Sequence, residues 1–261
     1  MIKIDPLTTF ESQGYAIFQA ANMAPLDELR TKIFDRAKTL VPYKGEGIED
    51  FFNKFHDYGL KPVELNKFRM DLMGWCNREL RVAQSLHEAF REPISALVGP
   101  DVVAQKGTNL VVQPPGDKDQ TPTHRDAPIS SHFEVIVWVP LVDVYKTKSM
   151  FISDKQSSSE ALGRLQAGGS YSEFCTYVEK HSKSLEVAYG GACFFAGGIA
   201  HGCPVNVEDE TRWSLNMRYK NIFSPYGTRG INDYFELLTL SPLARVGFDF
   251  EKQEHRQNGR L

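Results

Sequence analysis

The sequence predicts an α+β chain, mainly β, in which helices fill the first hundred residues and short strands most of the remainder. Three observations carry this expectation. Apolar residues recur at helical spacing before the Gly99-Pro100 breaker; short β-branched and aromatic runs parted by turn residues follow it; and residues 212–220 alternate apolar with polar at the period of a strand.

The first helix is expected from Pro25, with Leu26, Leu29, Ile33, Ala37 and Leu40 on one face and Asp27 and Glu28 in the first turn, where the helix dipole favours anions. Residues 43–59 carry Gly45, Gly47 and a Phe-Phe pair and read as a long loop able to cover a site. A second helical region is expected from Glu64 to Leu97, in two pieces parted near Gly74. Strands are expected at Val102–Gln113, Phe133–Val144, Ser184–Ala188, Ala192–Ala196 and Arg212–Phe223, with Lys148–Gly169 a Ser-rich insertion and Glu251–Leu261 a polar, frayed tail.

A length of 261 residues suits one large domain, and no linker or internal repeat divides it. Hydrophobic residues at 41% and charged residues at 24% exclude disorder, collagen and coiled coil. Thirty Lys and Arg against 33 Asp and Glu leave a net charge of -3, which carries no electrostatic footprint for nucleic acid. Small molecules are the expected partners. The N-terminal residues lack a basic, then apolar, leader and no stretch is apolar enough for a membrane span, so a cytoplasmic location without membrane association is expected. The 4 cysteines lack a CxxC spacing and read as reduced thiols. Oligomeric state is left open by the sequence.

In the last strong strand Trp213, Leu215, Met217 and Tyr219 fall on one face, and Arg212, Ser214, Asn216, Arg218 and Lys220 on the other. Such a polar face is usually solvated, but in a barrel or jelly roll it lines a ligand cavity. The sharpest local feature is His124-Arg125-Asp126, which in extended backbone points an imidazole and a carboxylate the same way. That pair suits a divalent transition metal. Alone, the pattern is weak and reads first as a surface histidine beside an aspartate. A strand ending in glycines, Phe194 to Gly198, delivers His201 as a candidate third ligand; taken singly, His201 reads as a core or turn histidine. Arg212 follows eleven positions later, across a turn at Asn206–Glu210, and a hairpin there would set it beside His201.

With HRD, the VIVWVPLVD strand, the opening FESQGYAIF and the block HGCPVNVEDETRW, the chain resembles the Fe(II)/2-oxoglutarate-dependent dioxygenases of the phytanoyl-CoA hydroxylase-like superfamily. The distal His followed by Gly, the Asn at five and the Arg at eleven are His201, Gly202, Asn206 and Arg212. The resemblance implies a double-stranded β-helix (jelly roll, cupin-like) backed by N-terminal helices, with residues 1–100 as helical support, 101–225 as the jelly-roll core and 226–261 as a C-terminal extension. It implies Fe(II) on His124, Asp126 and His201, with 2-oxoglutarate as co-substrate and O2 as oxidant. Arg212 would clamp the distal carboxylate of 2-oxoglutarate, with Thr121, Cys203 and Ser214 contributing and Arg218 as a reserve anchor; the family commonly has Ser or Thr where Cys203 stands. Lys106, Asn109, Gln113, Arg125 and Trp138 are candidate substrate contacts. The expected activity is hydroxylation of a small polar metabolite or biosynthetic intermediate, such as a carbohydrate or natural product. The alternatives are a cupin-like metalloenzyme that does not use 2-oxoglutarate and a non-catalytic jelly-roll binding protein.

Overall fold

The computed structural model describes residues 5–45, 47–127, 131–231 and 233–258, with side chains to residue 252. Its helices are α1 (Pro6–Gln13), α2 (Ala24–Ala37), α3 (Ile48–Asn53), α4 (Pro62–Glu79), α5 (Val82–Ala89), α6 (Arg91–Val98), α7 (Lys155–Gln166), α8 (Tyr171–His181) and α9 (Pro242–Asn258). Its strands are β1 (Tyr15–Gln19), β2 (Val102–Gln105), β3 (Asn109–Gln113), β4 (Glu134–Pro140), β5 (Phe151–Ser153), β6 (Ser182–Ser184), β7 (Gly191–Ala196), β8 (His201–Gly202), β9 (Arg212–Asn221) and β10 (Phe235–Thr239). The larger sheet runs β1-β7-β4-β9-β2-β10, with β3 also paired to β9, and the smaller runs β6-β5-β8. All of these pairings are antiparallel.

The long strand β9 organises the molecule, because both of its faces are buried. Its apolar face turns to the helices. Trp213 lies among Phe51, Phe52, Phe55 and Phe68 with ring centroids 4.7–6.1 Å away, and its indole N–H donates to the Phe52 carbonyl at 2.9 Å. Tyr219 donates its hydroxyl to the Ala83 carbonyl on α5 at 2.8 Å. Burying an aromatic of this size is worth about 2–3 kcal/mol, so this seam is a main source of helix-to-sheet cohesion.

Several elements differ from the sequence expectation. Of the loop expected over 43–59, residue 46 lies outside the described residues, and residues 48–58 are no lid: they form α3 and a 3-10 turn, Phe55–Tyr58, whose phenylalanines pack on Trp213 as core. Their apolar spacing outweighs the two glycines. Helix α4 runs unbroken through Gly74, because the stripe Leu65, Phe68, Leu72 and Cys76 is buried and outweighs a glycine cost of about 1 kcal/mol; the breaks fall instead at Leu80-Arg81 and Phe90. The Ser-rich insertion is ordered as β5 and α7, whose N-cap Asp154 accepts from the Ser157 N–H at 2.7 Å. Helix α8 follows, opened by a capping box between Ser170 and Glu173. The Val102–Gln113 run is two strands, and the strand expected at Ser184–Ala188 is β6 plus an isolated bridge from Val187 to Val144. The polar tail is helical to Asn258 as part of α9.

Candidate active site

The polar face of β9 is buried. Directly paired residues of neighbouring strands share a face, and the register sets Arg212 beside Gln113, Ser214 beside Val111 and Pro140, Asn216 beside Asn109 and Trp138, and Arg218 beside Ile136. The same face continues onto β7 through Phe195 and Cys193. It therefore lines the interior side of the larger sheet and is not a solvated surface.

The segment before β4 crosses this face. His124 and His201 exchange both backbone hydrogen bonds, at 2.9 and 3.0 Å, while Cys203 N–H donates to Thr121 and Ala127 N–H to Gly197. This ladder brings the two imidazole rings to a centroid separation of 4.3 Å, with Phe195 edge-on to His201 at 4.6 Å. Gly202 permits the approach, since a Cβ there would lie 2.6 Å from the Phe151 ring and 3.1 Å from Thr123 Cα. The α7–α8 pair grips the residue before each histidine. Ser158 accepts the Ala200 N–H at 3.0 Å and shares a 2.6 Å bond with Ser153, while Thr123 donates to Glu179 at 2.8 Å and its carbonyl accepts from the Tyr171 hydroxyl.

Both histidines have their tautomer set by backbone. His124 Nδ1 lies 2.8 Å from the Pro122 carbonyl and His201 Nδ1 3.0 Å from that of Ile199; a carbonyl only accepts, so Nδ1 carries the proton and Nε2 keeps its lone pair. Burial, then the neighbouring His124 charge, pushes the His201 pKa down to about 4, so its imidazole is neutral at pH 7. Asp126 lies beside them, with Oδ1 4.0 Å from His124 Nε2. That oxygen accepts from Arg218 Nη2 at 2.6 Å, while Oδ2 is buried without a partner. The donor set therefore offers two lone-pair nitrogens and one unclaimed carboxylate oxygen, which fits a divalent transition metal. The three side chains stand side by side but not drawn in: among the described residues no three His, Cys, Asp or Glu side chains form a closed ligand cluster.

Arg212 is 1% exposed, and its guanidinium donates from Nη1 to the Ser149 carbonyl at 3.0 Å. Among the described residues no carboxylate pairs with it, and Glu210, two positions before it in the chain, is taken by Lys148 at 2.5 Å. Arg212 Nε, Ser149 Oγ, Gln113 Oε1, Ser214 Oγ and Asn216 Oδ1 are all buried without a partner. Arg218, by contrast, is answered by Asp126, Gln105 and Tyr234.

The remaining expected site residues divide. Ser214, Gln113 and Trp138 lie on the polar face, Cys203 is half-buried at the end of β8, and Arg125 is half-buried between the two motif residues. Thr121 is exposed, and its carbonyl accepts from Cys203 N–H at 3.0 Å. Lys106 is exposed in the β2–β3 turn, and Asn109, paired with Asn216 at the start of β3, is itself exposed. The expected hairpin between His201 and Arg212 does not form: β8 pairs with β5, β9 with β3 and β4. Asn206 instead locks the intervening turn, donating to the carbonyls of Gln113 at 3.2 Å and Glu210 at 2.8 Å. Gln105, Ser149 and Tyr234 belong to the site without having been anticipated; a polar Gln105 closing an apolar run is the one sequence signal among them.

The backbone arrangement has solved counterparts. A non-heme monooxygenase, the ThoJ–Ni complex, superposes with a TM-score of 0.52 at 16% identity over 92% of this chain and 86% of its own. SnoK, a non-heme alpha-ketoglutarate-dependent carbocyclase from nogalamycin biosynthesis, gives 0.54 at 13% identity over 87% of each chain. The chain has the fold of these non-heme enzymes. AviO1 from Streptomyces viridochromogenes Tue57 gives 0.51 at 15% identity, covering 86% of this chain and 99% of that one. No protein-family model matches the chain, and no curated protein matches it. No helix among the described residues is long and apolar enough to cross a membrane.

Proposed function

We infer that this chain is an Fe(II)- and 2-oxoglutarate-dependent oxygenase that hydroxylates a small polar molecule, its single domain wound as a double-stranded β-helix behind the N-terminal helices. The observation that carries this reading is Arg212. A guanidinium keeps its charge at any accessible pH, and burying it without a counter-ion is costly, so a site built around it calls for an anionic ligand. Its planar fork matches a carboxylate, and the unpartnered Ser214 and Gln113 groups beside it supply further polar contacts. His124, Asp126 and His201 lie on the same interior side, and the fold is shared with SnoK, named as alpha-ketoglutarate-dependent.

In this reading His124 Nε2, His201 Nε2 and Asp126 Oδ2 hold the metal, which when bound supplies the oxidising power for attack on a C–H bond. Arg212 fixes the co-substrate's distal carboxylate, with Ser214 and Cys203 flanking it and Thr121 contributing through its backbone. Trp138 and Ile136 keep the floor of the face apolar, and Arg125 and Gln113 offer donors to the substrate. The polar lining favours a small hydroxylated or charged metabolite, such as a carbohydrate or biosynthetic intermediate. The test is anaerobic loading with Fe(II), then addition of 2-oxoglutarate and O2, with succinate measured across a panel of such metabolites. Succinate formation that depends on Fe(II) and rises with one metabolite supports the reading. Retained 2-oxoglutarate with no succinate, in protein shown to bind the metal, overturns it in favour of the cupin-like alternative.

A further inference from the structure

Resting on the metal reading above, we propose that Arg218 is a positioning residue that decides which oxygen of Asp126 meets the metal. The geometry is specific. Arg218 Nη2 holds Asp126 Oδ1 at 2.6 Å, while Nη1 donates to Gln105 Oε1 and to the Tyr234 hydroxyl, each at 2.9 Å. Tyr234 also accepts from Arg229 at 2.8 Å, so the guanidinium is braced from β2 and from the segment before β10. Arg218 and Asp126 side chains are 8% and 9% exposed, which keeps water from competing for the pair.

The consequence is an asymmetric carboxylate. Oδ1 is claimed by a charge-assisted bond, and Oδ2 is buried with no partner. Asp126 is thereby presented as a one-oxygen ligand through Oδ2. This also removes Arg218 from the role of co-substrate anchor, because its fork is already spent on Asp126, Gln105 and Tyr234. Partners of this kind behind a ligand typically change metal affinity by about 10- to 100-fold when lost.

The test titrates Co(II) into wild type, R218Q, R218K, D126N and D126N/R218Q, reading affinity by calorimetry and ligand geometry by the visible absorption of the bound ion. R218Q is expected to bind Co(II) about 10- to 100-fold more weakly with an altered spectrum, and R218K to recover part of the loss. In the D126N background, removing Arg218 should cost nothing further, since the effect runs through the carboxylate. A purely structural role would lower both backgrounds alike. If R218Q does not fold, R218K against wild type and D126N/R218Q against D126N carry the comparison. Wild-type Co(II) affinity and spectrum in R218Q or R218K would overturn the proposal, as would unchanged Co(II) binding with a weakened response to 2-oxoglutarate. Failure of the wild type to bind Co(II) would instead sink the metal reading, and the proposal with it.

Discussion

Replacing Arg212 with methionine separates the co-substrate reading from its competitors, because the two states of the protein should respond in opposite directions. Without a ligand Arg212 is a buried cation that donates to a backbone carbonyl and, among the described residues, pairs with no carboxylate, so Arg212→Met removes an uncompensated charge and should leave stability equal or higher. In the loaded protein the same change deletes a bidentate, charge-assisted contact worth about 2–5 kcal/mol, a loss of at least about 30-fold in affinity. Linkage turns this into a melting shift. At a free ligand concentration of about 100 Kd the wild type gains about 2.7 kcal/mol, whereas a variant bound 30-fold more weakly gains about 0.9 kcal/mol. For a chain of 261 residues 1 kcal/mol moves Tm by about 2 °C, so the shifts should be about 5 °C and under 2 °C. The assay is differential scanning fluorimetry of Co(II)-loaded protein with and without 2-oxoglutarate. A full wild-type shift in Arg212→Met would refute the assignment of Arg212; no shift in the wild type itself would refute the co-substrate.

Three further outcomes are expected. His124→Ala and His201→Ala should each lose the metal while keeping the fold, read by metal analysis after anaerobic loading and by far-UV circular dichroism; wild-type metal content in either would remove that residue from the ligand set. Ser158→Ala leaves the Ala200 N–H unpaired in a buried setting, so it should cost about 1–3 kcal/mol and lower Tm by about 2–6 °C, with no change meaning that α7 does not secure β8. Burial, and next the Arg91 charge, hold the His87 pKa below its usual 6.5, so only the unfolded chain takes up this proton as pH falls from about 6.5 toward the lowered folded value. Stability must therefore decline with acidification across that window, and His87→Leu should flatten the decline in denaturant melts between pH 7 and pH 5; an identical slope would show that another group drives it.

The legible parts of the fold are those whose signal is local. Leu26, Leu29 and Ile33 at helical spacing mark α2, and Trp213 to Tyr219 at a spacing of two mark β9, because in each case one buried face imposes its period on the residues. The Ser170/Glu173 capping box marks the start of α8 just as locally, yet the surrounding serines and glycines hide it. Misreadings arose where composition stood in for packing. Gly45 and Gly47 suggested a loop, but Phe51, Phe52 and Phe55 find Trp213 far along the chain, a partner that no window of sequence contains. The candidate site divides the same way. His124 and Asp126 are adjacent by strand geometry and readable at once, whereas the tie from Asp126 to Arg218 spans 92 positions and depends on how β9 sits beside the motif segment.

That tie also sets apart the two arginines on one strand face by their partners. Arg212 and Arg218 look alike in sequence, both on the polar side of β9, and either serves on paper as an anion anchor. Burial distinguishes them, since a charge removed from water must be answered by something. Arg218 is answered within the protein by Asp126, with Gln105 and Tyr234 sharing its other terminal nitrogen. Arg212 is not: among the described residues no carboxylate pairs with it, and Glu210, two positions before it in the chain, is committed to Lys148, which also donates to Asn53 at 2.8 Å. The ligand-free molecule thus holds one buried cation in reserve on the interior face and spends the other on its carboxylate. A dianionic co-substrate that bridges the metal and Arg212 would cancel that remaining charge, and its binding should be strongest when both its ends are engaged.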